Sequence, residues 1–169
     1  MKYLRWLLCY PFSVALTLAT WLLSPILALP IFVTVIDGRE WLIKPLRWFQ
    51  TFDAPLDEFT YGGYGTASSK YTNRIKWLCR NPAYGFAQYP MGVRPSNKPI
   101  VYGSMAKWDN RLGMNNWEYT TWGNAFNLRA QWFFTYSWFI RINIGWKAHS
   151  GFTRLMLATH ITPRKLTTA

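Results

Sequence analysis

Thirty-one consecutive uncharged residues, Trp6 to Ile36, constrain this chain more than any other feature. About 20 apolar residues cross a bilayer, so a run of this length is bedded in lipid, folded back on itself or deeply buried. The basic residues Lys2 and Arg5 precede it, as in a secretory signal. The apolar stretch is however about twice the usual h-region, and no small-residue cleavage pattern ends it. The run is therefore expected to be a retained membrane anchor. Prolines complicate its shape: Pro11 lies in the first turns, and Pro25 and Pro30 each remove a backbone donor and are expected to kink or break a helix. Trp6 to Ser24 spans about 28 Å at 1.5 Å per residue, which is one hydrocarbon thickness. Pro25 to Ile36 then forms either a kinked exit segment or the return limb of a re-entrant helical hairpin. Basic residues flank both ends, with Arg39, Lys44 and Arg47 after the run, so charge alone leaves single pass and hairpin open. For a single pass, the larger basic load favours a cytoplasmic C-terminal domain.

Glu40 to Phe52 reads as an interfacial segment. At helical spacing Glu40, Lys44 and Arg47 make a polar stripe, with Trp41, Trp48, Phe49 and Phe52 towards the other side. Pro45 interrupts it, and packing on its own domain is the competing reading. Trp6, Trp21, Pro25, Pro30, Trp41 and Trp48 are the expected anchor residues. Thr51 to Ser69, with Asp53, Pro55 and the Gly62-Gly63-Tyr64-Gly65 run, reads as a turn-rich linker or binding loop. This divides the chain into an anchor (1–36), an interfacial segment and linker (37–69) and a mainly β domain (70–169).

Lys70 to Cys79 has the period of a short helix with Tyr71, Ile75, Leu78 and Cys79 inward, stopped by Asn81-Pro82. Beyond Gly92 the period changes to two. Ile100 and Tyr102 alternate, as do Trp117 and Tyr119, and every even position from Phe126 to Trp146 is apolar while the odd positions are mostly polar. That is a half-buried strand pattern. Twenty-one residues would make a strand about 70 Å long at 3.3 Å per residue, so the chain must fold back near Thr135 to Ser137. Leu155 to Ile161 supplies a further strand. The expected class is α+β: a membrane helix or helical hairpin, then an antiparallel meander of four to six strands with one short helix, its core built from Trp and Tyr.

Three stretches carry a resemblance. Phe49-Gln50-Thr51-Phe52-Asp53-Ala54-Pro55-Leu56-Asp57, Trp77 to Phe86 with its Arg80-Asn81-Pro82-Ala83-Tyr84-Gly85-Phe86 core, and Arg141 to Lys147 ending in Gly145-Trp146-Lys147 resemble an uncharacterised family of small tailed-phage and prophage proteins that begin with a hydrophobic segment. The resemblance implies a phage origin and no reaction. Read physically, Pro82 fixes a turn, Gly85 permits positive φ, and Tyr84 and Phe86 anchor the turn in an aromatic core. Arg80, Asn81, Tyr84 and Phe86 are the residues that would meet a partner if the motif is a contact surface.

No phosphate-binding loop, nucleophile elbow or zinc-protease signature occurs. The Cys9 and Cys79 spacing supports neither a disulfide framework nor a metal site. His149 and His160, eleven residues apart, read as structural or solvated rather than as metal ligands. Asp53, Asp57 and Glu58 are the one carboxylate cluster, and such residues more often cap turns and pair with Arg or Lys than supply the acid/base pair of a glycosidase. No enzyme, cofactor or metal is expected. Nineteen Lys and Arg against seven Asp and Glu leave a formal +12. Basic and aromatic residues fall on opposite faces of the strands, which argues against single-stranded nucleic acid, where stacking and charge meet on one surface. A basic face beside a membrane suits anionic headgroups, with Lys44, Arg47, Arg129, Arg141 and Lys147 as the expected lipid contacts.

The expected function is a phage-encoded, membrane-anchored, non-enzymatic interaction protein at the host inner membrane, with a host or phage protein as partner and oligomerisation left open. Superinfection exclusion, lysis control and takeover of a host complex all suit that layout. A virion component that meets a membrane and an envelope-acting hydrolase are the alternatives.

Overall fold

A computed structural model describes residues 1–61, 69–104, 117–135, 137–149 and 153–165. They fall into two compact units, Pro11–Pro90 and Met1–Tyr10 with Met91–Ala169. These boundaries lie at 10/11 and 90/91, away from the 36/37 and 69/70 junctions suggested by composition.

Helix α1 (Lys2–Leu27) contributes its first turns to one unit and the rest to the other. It runs unbroken through Pro11 and Pro25. Pro25 cannot donate to the Trp21 carbonyl, and the Ser24 hydroxyl donates to that carbonyl instead, at 2.9 Å. The break expected at Pro25 is thereby displaced to Leu27. Pro30 opens a 3₁₀ turn, Pro30–Phe32, followed by strands β1 (Val33–Ile36) and β2 (Arg39–Leu42). The two strands pair antiparallel from Val33↔Leu42 to Ile36↔Arg39. Asp37 (φ 50°) and Gly38 (φ 74°) form the two-residue turn between them, the conformation that tight hairpins require. The end of the uncharged run is thus a β-hairpin strand. The re-entrant helical hairpin does not form, and the segment that leaves α1 is a 3₁₀ turn and a strand, because β-branched Val33, Thr34, Val35 and Ile36 lead directly into an Asp-Gly turn.

The polar stripe of Glu40, Lys44 and Arg47 does not form either. Glu40 is buried in β2, whereas Lys44 and Arg47 lie in a second 3₁₀ segment, Lys44–Phe49, with Pro45 near its start. Helices α2 (Glu58–Tyr61), α3 (Lys70–Arg80) and α4 (Tyr84–Gln88) complete this unit. Its core is Leu27, Leu42, Leu56, Trp77 and Leu78. Within Thr51 to Ser69, Thr51, Leu56 and Asp57 are buried while Asp53, Thr60 and Ser69 are exposed; the Gly62-Gly63-Tyr64-Gly65 run lies outside the described residues. Ser69 caps α3 by accepting from the Thr72 amide at 3.2 Å, and the Asn81 amide closes it on the Trp77 carbonyl at 3.0 Å. The inward face of α3 is Asn73, Arg74, Trp77 and Leu78, while Tyr71 and Cys79 are exposed. Apolar periodicity misassigned that face because its central residue is a buried arginine.

The other unit is a five-stranded antiparallel meander: β3 (Ile100–Ser104), β4 (Trp117–Thr121), β5 (Phe126–Phe133), β6 (Trp138–Lys147) and β7 (Met156–Lys165). The fold is α+β with a β-meander. The chain turns back between β5 and β6, where the Phe134 and Thr135 amides both donate to the Trp138 carbonyl, at 3.2 and 3.3 Å. Register aligns one apolar face across the sheet. Trp117, Ala130, Ile142 and Ile161 form one row, Tyr102, Tyr119, Leu128, Ile144 and Thr159 the next, and Trp132, Ile140 and Pro163 another.

This apolar face is not the buried one throughout. Phe126 and Trp146 are buried, but Trp132 is 65% exposed and Trp138 43%. On the opposite face Gln131, Phe133 and Phe139 are buried. The even-numbered aromatics therefore do not make up a common core. α1's first turns cover one end of them: Tyr3 packs on Phe126 at a tilt with ring centres 4.7 Å apart, its hydroxyl bonds that of Tyr119 at 2.7 Å, and Trp6 Nε1 donates to the Ala158 carbonyl at 3.0 Å.

Candidate functional site

The surface of α1 is inverted relative to a helix of a water-soluble protein. Along Pro11–Leu27, small and polar residues point inward: Thr20, Ser24 and the terminal Leu27 are buried. The large apolar side chains point outward, with Leu22 79% exposed and Leu18, Trp21 and Ile26 about half exposed. The inward hydroxyls are satisfied locally, Thr20 Oγ1 donating to the Leu16 carbonyl at 2.7 Å and Ser24 Oγ lying 3.4 Å from Cys79 Sγ. A helix whose backbone and hydroxyls are internally bonded and whose outer surface is Leu, Trp and Ile meets the conditions for an apolar solvent. It is long and apolar enough to cross a membrane.

The expected anchor residues separate. Trp6 and Trp21 are on α1, and Trp21 Nε1 donates to the Cys79 carbonyl at 3.0 Å. The Pro25 carbonyl accepts from the Tyr71 hydroxyl at 2.9 Å. Pro30 starts a 3₁₀ turn, Trp41 lies in β2 beneath the Arg47 guanidinium (5.4 Å from the ring centre), and Trp48 packs against Phe86 with ring centres 5.3 Å apart.

At the end of α1 lies a buried ion pair. Arg74 donates Nε and Nη2 to the two Glu40 carboxylate oxygens at 2.8 and 2.9 Å, and Nη1 to the Ala28 carbonyl at 3.1 Å. The hydrogen bonds from Arg74 hold the Glu40 carboxyl below the usual range against the opposing effect of burial, and Glu40 raises Arg74 in return. The carboxylate cluster considered for catalysis is similarly engaged: Arg39 bonds Asp57 at 3.1 Å and Glu58 at 2.7 Å, and Asp53 accepts from the Thr51 hydroxyl. A cavity of about 270 Å³ borders Glu40, Asp57, Thr60 and Lys70.

Three of the expected lipid contacts come together on the polar face of the sheet. Arg129, Arg141 and Lys147 border a depression of about 310 Å³ with Glu118, Asn127 and Asn143. Glu118 meets Arg129 at 3.4 Å, and Asn127 Nδ2 donates to Asn143 Oδ1 at 2.9 Å. His160 lies opposite Asn143, and burial together with the charges of Lys147, Arg141 and Arg164 lowers its pKa to about 4. Burial is the main cause and the cations add to it, so a neutral imidazole lies beside the positive charges of this face. Lys44 and Arg47 belong to the Pro11–Pro90 unit and are not part of this cluster. Among the described residues no three His, Cys, Asp or Glu side chains are grouped to hold a metal.

The Arg80 to Phe86 core is a packing device. Its turn reaches the left-handed conformation at Ala83 (φ 54°), not at Gly85. Gly85 instead lies in α4 because a Cβ there would stand 2.6 Å from Trp48 Cα. The close approach lets the Ala83 amide donate to the Phe49 carbonyl at 3.1 Å and the Gly85 amide to the Gln50 carbonyl at 2.9 Å. Phe86 then contacts Trp48 and Phe49 edge-to-face. Two of the stretches that carry the family resemblance thus pack against each other. Arg80 is exposed, and Asn81, Tyr84 and Phe86 are half-buried.

Sequence reasoning missed Gln50 and Arg74. Buried Gln50 accepts from the Leu42 amide at 2.7 Å and donates to the Ala54 carbonyl at 3.2 Å. No periodic signal identifies a polar residue whose partners are backbone groups of irregular segments on either side of it. For Arg74 the signal was available: its position on α3 is flanked by inward Trp77 and Leu78 at helical spacing.

No curated protein and no solved structure matches the chain. A family-wide match does exist and extends over residues 1–168, so the chain belongs to the family of unknown function DUF7338.

Proposed function

We propose that this protein is a membrane-anchored, non-enzymatic interaction protein. The observation that carries the reading is the inverted surface of α1, with Leu18, Trp21, Leu22 and Ile26 outward and Thr20 and Ser24 inward. The electropositive depression around Arg129, Arg141 and Lys147 is the surface offered to a partner, and its charge selects an acidic one. The ion pairs that engage Asp57 and Glu58 support a structural rather than catalytic use of the carboxylates. The resemblance of Phe49–Asp57 and Trp77–Phe86 to tailed-phage and prophage proteins supports a phage origin, and the layout of an apolar helix with a basic domain suits superinfection exclusion, lysis control or takeover of a host complex at the host inner membrane. The excess of Lys and Arg after the uncharged run favours a cytoplasmic C-terminal domain.

The test is a topology assay in which a cytoplasm-active and a periplasm-active reporter are fused in turn after Ala169 and the same cells are fractionated. Activity of the cytoplasmic reporter in the membrane fraction is expected. Activity of the periplasmic reporter would overturn the assigned side, and activity confined to the soluble fraction would overturn the anchor.

A further inference from the structure

We infer that the aromatic face of the five-stranded sheet is itself a bilayer-contacting surface, so that the protein meets the membrane through a sheet as well as through α1. The inference rests on the anchor reading. Trp117, Trp132, Trp138 and Ile161 lie on one face by strand register and are 48%, 65%, 43% and 54% exposed. Four such side chains on one side of one sheet exceed the scattered apolar residues of an ordinary surface.

Three observations identify the occupant as lipid. The covered end of the same face is filled by Tyr3 and Trp6 of α1, and those first turns present Leu4, Leu7 and Leu8 outward, each about 60% exposed. The exposed aromatics therefore share a sheet face with a helical segment whose own outer side is apolar. Trp is also the residue whose apolar body and polar indole N–H suit headgroup depth. Finally, an exposed cation borders the patch: Lys165 pairs with Trp138 across β6 and β7, while Arg5 lies over Trp146 at the covered end of the same face, 5.8 Å from its ring centre. Basic residues beside interfacial Trp match an anionic leaflet.

The geometry also chooses between the two faces of the sheet. Arg129, Arg141, Lys147 and Arg164 alternate with the aromatics and project from the opposite side. A flat sheet lays only one face on a bilayer. With the aromatic face down, the electropositive depression is turned away from lipid, towards a protein partner; with the basic face down, the Trp side chains would be left in water.

The test uses the full chain with Cys9→Ser and Cys79→Ser, reconstituted in phosphatidylcholine–phosphatidylglycerol vesicles. Single cysteines carry an environment-sensitive fluorophore at Trp132→Cys, Ile161→Cys, Thr162→Cys or Leu22→Cys, with spin-labelled acyl chains as quencher. Ile161 and Thr162 are neighbours on opposite faces of β7, so they separate orientation from folding, and each labelled protein is required to keep the parent's circular dichroism. Blue-shifted emission and loss of most intensity at 132, 161 and 22, without quenching at 162, is expected. Quenching at 22 alone would overturn the sheet surface and leave the anchor standing. Quenching at 162 but not at 161 would overturn the orientation. Blue-shifted but unquenched emission at 132 and 161 would mean a protein cover, such as a second copy, and would also overturn the proposal. Absence of quenching at every position would remove the anchor reading and this one with it.

Discussion

Arg74 holds Glu40 through two parallel hydrogen bonds and bonds the Ala28 carbonyl one residue beyond α1 with its remaining nitrogen. One guanidinium thus ties the end of the apolar helix to β2 and α3. Both partners are almost fully buried, and removing one member of a buried pair leaves an uncompensated charge. Arg74→Met is expected to destabilise the protein by about 3–5 kcal/mol in detergent micelles, and Arg74→Met with Glu40→Leu to recover much of it. Equal stability of Arg74→Met and the parent in chemical denaturation would refute the assignment.

His160 and Glu40 together set a pH dependence in two steps. His160 titrates at about 4 when folded against 6.5 in the reference state, so between those values the unfolded chain binds a proton that the folded one refuses. Stability is complete above pH 6.5 and falls as the pH drops through that window. The Glu40 carboxyl lies below its ordinary 4.5, so its contribution is present above 4.5 and is lost as the pH falls further. Unfolding midpoints measured against pH should decline from 6.5 downward, and His160→Gln should flatten the first limb while leaving the decline below 4.5. An unaltered first limb in that variant would remove His160 as its source.

Gly85 is where the Arg80 to Phe86 core is least tolerant. A methyl group there meets Trp48 backbone at 2.6 Å, which no rotamer change relieves. Gly85→Ala is expected to cost about 1–3 kcal/mol, the usual range for overpacking. A thermal midpoint equal to the parent's would mean that the 3₁₀ segment yields freely.

Gln50 presents the complementary case of a polar side chain at the centre of packing. Gln50→Leu leaves the Leu42 amide without its side-chain acceptor, and an unsatisfied buried group costs about 1–3 kcal/mol. Denaturant midpoints of Gln50→Leu and Gln50→Glu should both fall below the parent's; a Leu variant more stable than the parent would contradict the role given to this amide.

The sequence disclosed period and class well, and direction poorly. Alternation from Phe126 to Trp146 located β5, β6 and the reversal near Thr135, because cross-strand register preserves the two-residue period. It was misleading about which face is inside, since alternation distinguishes two faces without saying which one water touches. Val33 to Leu42 was misread for a different reason. An apolar run was extended through β-branched residues to Ile36, although the Asp37-Gly38 pair that follows is a strong short-range hairpin signal. At Arg74 and Glu40, charges that read as surface are buried because each satisfies the other. The core motif was legible as packing, but the role of Gly85 depended on Trp48, 37 residues earlier, and no local rule carries that distance.

If α1 is embedded in lipid, alkaline carbonate extraction of membranes from cells producing the full chain reads it out at once, because alkaline carbonate strips peripheral proteins held by charge. The protein is expected to stay in the membrane pellet, and replacing Leu18, Leu22 and Ile26 together by Ser is expected to release it while the circular dichroism of the purified variant is kept. Release of the unaltered protein into the supernatant would show that α1 is not embedded.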